Sequence, residues 1–594
     1  MSSKIRYRVK PNTSINLNSA NPVKDYLEAL GIENAFSFIE RPRLEDQEFY
    51  GNLDNIEEAA ELLYKGFKEN KIFFLQVDSD VDGITSSAIF YSFFKRLFPE
   101  AKIRYRLHEG KEHGVIVDTV PLDTDYVIIP DAGTMQYKQQ QEMVELGYQV
   151  IIMDHHNADE FIEMENVCVV NNQMSENFNN KSLSGAGVVY KVIQAFNFLY
   201  QDEFPIIYQD FVDLAALGIV ADMMDTRNLD NNYIIYKGLS NIKNPMFKAL
   251  LEKQAYSVTS TENPTKIDVA FYVAPLMNGV IRYGTENDKA ELFKGFIDYH
   301  NEEIIETTYA GNLRREKYYE FVARNSYNVK EKQNREKLKF MKYLCDRIDA
   351  DKSYENQLLI VKASKEDDVA IPKTITGLVA MELLKKYKKP TLLLRPKMID
   401  NELYYAGSGR GKQNGDFTSL MHFLRESGLV EYAEGHGMAH GVMIREDNID
   451  RLIEYANKKL KHIEFDVNSL EVDFMFTEMN INRNLITQFG SINHIYGNGI
   501  QQPKFAFELM IDKMAINFIG RGENTVKFRV NGVDFIKFNN KALATQLKEI
   551  EEPTIKATVI GRAQVNEWGG NITPQIMIDD IEVEGYEQEL NKLF

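Results

Sequence analysis

Three continuous apolar runs, each breaking off into carboxylates or imidazoles, constrain this chain more than any other feature. Lys71-Ile-Phe-Phe-Leu-Gln-Val runs into Asp78-Ser-Asp80-Val-Asp82-Gly83, Tyr126-Val-Ile-Ile into Pro130-Asp131-Ala-Gly133, and Tyr148-Gln-Val-Ile-Ile-Met into Asp154-His155-His156. Apolar runs without polar alternation are buried on both faces, and between the first two lies a helical pattern over 84–98, with Ile84, Ala88, Tyr91 and Phe94 on one side. Strands of this kind separated by helices predict an α/β fold with a parallel sheet. Ligands of such sheets collect at the carboxyl ends of the strands, so the three clusters meet in one crevice if the strands are neighbours.

So many carboxylates in a partly dry crevice oppose one another's ionisation, and divalent cations resolve the conflict. Mixed carboxylate and imidazole donors suit Mn2+ or Mg2+ better than a closed zinc site, and two ions about 3.5 to 4 Å apart can activate water against a phosphodiester. A lone DxD is as often a set of turn or capping carboxylates; three clusters at strand ends are not. The run Asp78 to Gly83 also matches the opening of an EF-hand loop, but it follows a strand and position 12 is Ile89 instead of Glu.

At 594 residues, with 44% hydrophobic and 26% charged, the chain is expected to hold two to four folded domains. We place an adaptor segment at 1–45, the catalytic domain at 46–285, a helical connector at 286–350, a second and smaller α/β domain at 351–466, and a β-rich module at 467–594. Asn531-Gly532 in the last of these is a hairpin signal. The chain start lacks a signal peptide's apolar core and no run is long enough to span a bilayer, so a cytoplasmic, non-membrane, monomeric protein is expected. Cys168 and Cys345 stand outside any CxxC pattern and are expected to be buried thiols.

The net charge of −19 argues against a nucleic-acid partner, yet residues 312–347 carry eleven Lys/Arg against five Asp/Glu with six Tyr and Phe interleaved. That mixture suits a phosphate backbone and stacked bases, and equally a solvated amphipathic helix. Gly407-Ser408-Gly409-Arg410-Gly411 and Glu434-Gly435-His436-Gly437 are glycine runs that, each alone, read as turns before phosphate clamps. Trp568, the single tryptophan, is either a core anchor or a stacking platform.

Taken in order, Asp78 to Gly83 with Ile84-Thr-Ser-Ser-Ala, the Asp131 strand end, Asp154-His155-His156 and Ala216-Leu-Gly-Ile-Val-Ala-Asp222 resemble the four motifs of the DHH phosphoesterase superfamily. Ser184-Gly-Ala-Gly-Val188 and Pro275-Leu-Met-Asn278-Gly-Val-Ile-Arg282 resemble the RecJ exonucleases more narrowly. The resemblance implies that Asp80, Asp82, Asp131, His155 and Asp222 hold a metal pair. Asp78 is then a ligand or an orienting group, and His156 either a contact to the scissile phosphate or a positioning group. It implies phosphate contacts at Ser408, Gly409, Arg410 and His436, DNA contacts at Asn278 and Arg282, and a C-terminal module like an OB fold. Two departures stand out: Gly279-Val280-Ile281 between Asn278 and Arg282, and Glu434 where the family has Gly.

The implied activity is 5′ to 3′ hydrolysis of single-stranded DNA to mononucleotides, with a single-strand-binding protein or helicase as possible recruiter. The alternatives are a DHH phosphodiesterase acting on oligoribonucleotides or cyclic dinucleotides, which needs less apparatus than this length provides, and a non-catalytic DHH scaffold, which would be expected to have lost ligands.

Overall fold

In the computed structural model the three apolar runs are neighbouring strands of one five-stranded parallel sheet. Its strands are β1 (Ile72–Val77), β2 (Lys102–Leu107), β3 (Tyr126–Pro130), β4 (Gln149–Asp154) and β5 (Val167–Asn171), in the order β2-β1-β3-β4-β5. Both faces of the sheet are covered, which is why Phe73, Leu75, Val127, Ile128, Ile151 and Ile152 are all fully buried. Residues 6–10, 19–109, 112–158, 162–297, 304–309, 312–363, 371–414, 416–463, 465, 469–568 and 570–584 are described by the structure.

Helices α1 (Val81–Leu97), α2 (Gly185–Leu199) and α3 (Val212–Ala221) pack on one another beside the sheet. Phe93 and Phe94 of α1 meet Phe196 of α2 edge to face, and Phe211 joins from the turn before α3. Each such fully buried ring contributes roughly 1.5–3 kcal/mol by leaving water. The first helix begins three residues before the expected 84, because the Asp80 carboxylate accepts the Gly83 N–H at 2.8 Å and caps it.

The chain divides into two compact units, one joining Met1–Tyr327 with Ser469–Glu587 and one built on Asn328–Asn468. Within the first unit the C-terminal residues form a seven-stranded mixed sheet. Asn531 and Gly532, both at positive φ, close a hairpin there as their residue types predict. The N-terminal residues belong to the same core: Tyr26, Leu27, Ala35 and Phe38 pack with Phe474, Phe489 and Phe505, and Arg6–Val9 pairs in parallel with Ser469–Val472.

The segment expected to be helical from 286 to 350 is not uniform. After the helix Glu286–Ile297, Ile304–Tyr309 and Asn312–Lys317 pair as an antiparallel hairpin, and only then does the helix Tyr318–Asp351 start. The charges of Asn312–Lys317 look helical, but their ion pairs run across the hairpin, along its strand and beyond it: Arg315 to Glu306 at 2.7 Å, Arg314 to Glu316, and Arg324 of the next helix to Glu316. Part of the basic excess is therefore neutralised locally.

The second unit holds a five-stranded sheet, Leu359–Lys362, Thr391–Ile399, Glu402–Arg410, Ala439–Arg445 and Tyr432–His436 in that spatial order. Here the first glycine run departs from the expected turn: Gly407 to Arg410 lie inside a strand paired on both sides. A side chain at Gly407 would collide with the Leu393 carbonyl, so the strand itself demands glycine. Cys168 and Cys345 are buried free thiols, as expected. Among the described residues no helix is long and apolar enough to cross a membrane.

Candidate active site

The carboxyl ends of β1, β3 and β4 deliver their clusters to one place. His155 Nε2, just past β4, lies 3.1 Å from Asp131 Oδ1, 3.6 Å from Asp222 Oδ2 and 3.9 Å from Asp82 Oδ2. Donor atoms of Asp82, His155 and Asp222 lie within 4.8 Å of one another, as do those of Asp78, Asp80 and Asp131, and those of Asp131, His155 and His156. Asp131 and His155 each belong to two of these groups and join all three.

Each group is held by its element. Asp82, in the first turn of α1, accepts hydrogen bonds from Ser184 Oγ at 2.9 Å, the Gly185 N–H at 2.6 Å and the Ala186 N–H at 3.1 Å, the donors at the start of α2. Gly185 has to be glycine, since its Cβ would lie 2.6 Å from Asp131 Oδ1. Asp131 takes φ +64, a left-handed conformation, as β3 ends. Asp222 caps the end of α3. Asp154 accepts the Thr134 N–H at 3.0 Å, the His155 N–H at 2.7 Å and a bond from His156 Nδ1 at 2.7 Å.

The electrostatics follow from burial and crowding. Burial, then Asp82 and Asp80, drive the Asp131 carboxyl well above the usual range. The same causes raise Asp222 to about 8, and burial, Asp82 and Asp78 raise Asp80. Burial pushes His155 down, towards neutral imidazole. Asp154 behaves oppositely: burial alone would raise it, but the hydrogen bond and charge of His156 with the Thr134 bonds hold it below the carboxylate range. In return the Asp154 hydrogen bond raises His156 to about 9. Such crowding favours protonated carboxylates, and divalent cations bound among them would favour the ionised forms.

Sequence reasoning did not find His113, whose Nδ1 lies 3.1 Å from Asp78 Oδ1. That bond raises its pKa, against the opposing effects of burial and, more weakly, of the Arg282 charge. Asn278 stands one helical turn before Arg282 in the helix Ala274–Tyr283 and is half-buried, while Arg282 is exposed. His113 lies in a polar loop with no periodicity, so only the fold brings it to Asp78. Ser184, by contrast, stood in a quoted motif, although nothing there marked it as the donor that fixes Asp82.

The remaining expected residues lie in the second unit. Ser408 Oγ is 3.0 Å from Thr376 Oγ1, and a Cβ at Gly377 would collide with the Arg410 guanidinium, so both face the N-terminus of the helix Thr376–Tyr387. Gly409 alternates to the other side, under the ring of His440, which is buried. His436 is exposed at the end of the hairpin formed with Ala439–Arg445. The side chain of Trp568 lies outside the described residues.

Comparisons with known proteins bear on the family and the fold. The model of the DHH family, N-terminal domain, matches residues 72–219, and that of the RecJ OB domain matches 472–580. A putative SPbeta prophage-derived single-strand DNA-specific exonuclease, YorK of Bacillus subtilis (strain 168), is 33% identical over 587 residues, 98% of each chain. The single-stranded-DNA-specific exonuclease RecJ of the same organism is 22% identical over 98% of this chain and 71% of its own. Among solved structures, RecJ in complex with Mn2+ from Thermus thermophilus shares the fold, with a TM-score of 0.68 at 19% identity over 98% of this chain and 80% of that one. Full-length kinship to an exonuclease of this kind, with a DHH model over the strand-end cluster and a RecJ OB model over the C-terminal sheet, places the chain in the RecJ family of DHH proteins.

Proposed function

We propose that this protein is a Mn2+- or Mg2+-dependent exonuclease that hydrolyses single-stranded DNA to mononucleotides, 5′ to 3′ as the RecJ resemblance implies. The observation that carries the proposal is the convergence of Asp78, Asp80, Asp82, Asp131, His155 and Asp222 on one crevice, through ligand groups joined by Asp131 and His155. The donor set fits divalent cations. Asp131 Oδ1 is buried and accepts no hydrogen bond, although His155 Nε2 is 3.1 Å away, so a fully desolvated oxygen is left with a lone pair for a cation. Two cations bound there would supply what carboxylates alone lack, a lowered pKa for attacking water and compensation of charge at the phosphate.

The chain's own residues do the rest. Ser184, Gly185 and Ala186 fix Asp82, and the lowered His155 offers a neutral nitrogen to a cation. His156 spends Nδ1 on Asp154, is 61% exposed, and carries a proton near neutrality, which suits contact with the scissile phosphate better than ligation. Asp78, bonded to His113, is a ligand or an orienting group. Arg282 and Asn278, one turn apart on the helix Ala274–Tyr283, are the DNA contacts that the RecJ resemblance implies. In the second unit, Ser408 and Arg410 beside a helix N-terminus form a phosphate grip, with His436 at its hairpin.

Digestion of a long single strand labelled at either end, beside a labelled dinucleotide, with Mn2+ or with EDTA, tests the function. Release of mononucleotides from the 5′ end of the long strand, dependent on Mn2+, is expected. Preference for the dinucleotide would instead establish a small-substrate phosphodiesterase, and binding without hydrolysis a scaffold.

A further inference from the structure

Asp222 leads directly into the loop that follows α3. It ends α3, and the next residue, Met223, takes φ +57, which only a well-held loop sustains in a side chain of that size. The hold comes from the C-terminal module. The carbonyl of Asn498 accepts both the N–H of Thr226 at 2.9 Å and its Oγ1 at 2.7 Å, and the side-chain amide of Asn498 donates to the Met223 carbonyl. Gly499, at φ +88, lies so close to the Asp225 carboxylate that a Cβ there would collide with it.

From the helix Leu229–Ser240, Asn231 Nδ2 donates to the Asp225 carbonyl at 3.0 Å and to the Ser182 carbonyl at 2.7 Å. Ser182 stands two residues before Ser184, the hydroxyl that fixes Asp82. The loop after Asp222 is thus clamped between a turn of the C-terminal module and the segment that orients a second ligand. Thr226 is buried at the centre of the clamp, at 2% exposure.

We propose that Thr226 and Asn498 are positioning residues for the metal pair, so that the C-terminal module sets the place of Asp222 besides any contact it makes with DNA. The proposal rests on the metal-site reading above. Residues that orient ligands tune metal affinity about 10- to 100-fold, whereas a module that only grips the strand would leave it untouched.

The test is Mn2+ binding to the full chain without DNA, followed by electron paramagnetic resonance of the free ion, in wild type, Thr226→Val, Thr226→Ser and Asn498→Ala. We expect Thr226→Val to weaken one of the bound ions about tenfold, Thr226→Ser to restore it by keeping the hydroxyl, and Asn498→Ala to weaken it in the same direction. In turnover assays kcat should recover at saturating Mn2+ with KM for single-stranded DNA unchanged. Should Thr226→Val fail to fold, the exposed Asn498→Ala decides alone. Wild-type Mn2+ affinity in Thr226→Val and Asn498→Ala, or a change confined to KM for DNA, overturns the inference. Failure of the wild type itself to bind Mn2+ would instead overturn the metal site.

Discussion

Asp82 serves two purposes, and substitution removes both. Its carboxylate would hold a cation, and it also satisfies three donors at the buried start of α2. Asp82→Ala should therefore abolish hydrolysis and also lower stability, by about 1–3 kcal/mol for the donors left unpaired, measurable by denaturant unfolding. His155→Ala strips a ligand and leaves only the Leu183 backbone without its partner, so it should cut turnover more than about 100-fold with a smaller loss of stability than Asp82→Ala. Asp131→Asn separates the roles further. Burial and neighbouring Asp82 and Asp80 penalise the Asp131 charge, so the variant in EDTA should melt no lower than wild type, while the rise in Tm on adding Mn2+ disappears. A lower Tm in EDTA would show that the charge is satisfied without metal. At this scale the strand-end clusters were legible because every member sits within a few residues of an apolar run. His113 was not, since its link to Asp78 spans 35 residues and leaves no mark in spacing.

The contact between the catalytic domain's helices and the C-terminal module contains a buried amine. Lys266 Nζ donates to Asn232 Oδ1 at 2.8 Å and to the Ile495 carbonyl at 3.2 Å, and complete burial lowers its pKa to about 7. The unfolded chain keeps this amine protonated up to about 10.4, so between about pH 7 and 10 the unfolded state binds more protons and stability rises with pH. The contribution is full above the unfolded pKa and is lost as pH falls to the folded value of about 7. Melting at about pH 7, 8 and 9 should show Tm of wild type rising relative to Lys266→Met, and parallel curves would show that the amine stays charged. Element boundaries followed local signals only where those signals were unopposed. The apolar runs and Asn531-Gly532 behaved as expected, but the charges of Asn312–Lys317 look helical until Glu306 and Glu316 supply partners within the hairpin. The glycines of Gly407 to Arg410 mark close strand approach where a turn was expected.

For the molecule as a whole, phosphate grip and chemistry are assigned to different units, so they should separate under mutation. Arg410→Ala should weaken binding of single-stranded DNA and reduce the slope of log K against log salt by about 0.7, the loss of one phosphate contact, with Mn2+ binding unchanged. An unaltered salt slope would remove Arg410 from the grip. The alternation of strands and helices made the parallel sheet legible, whereas the pairing of Arg6 with Ser469 was not, because a contact across that separation follows from tertiary packing alone. Everything proposed here requires that three strand ends and the end of α3 build one site for a pair of cations. Counting Mn2+ bound per chain at equilibrium tests it most directly. Two ions are expected in wild type and fewer in His155→Ala; no bound ion in wild type, or two in both proteins, would rule the shared site out.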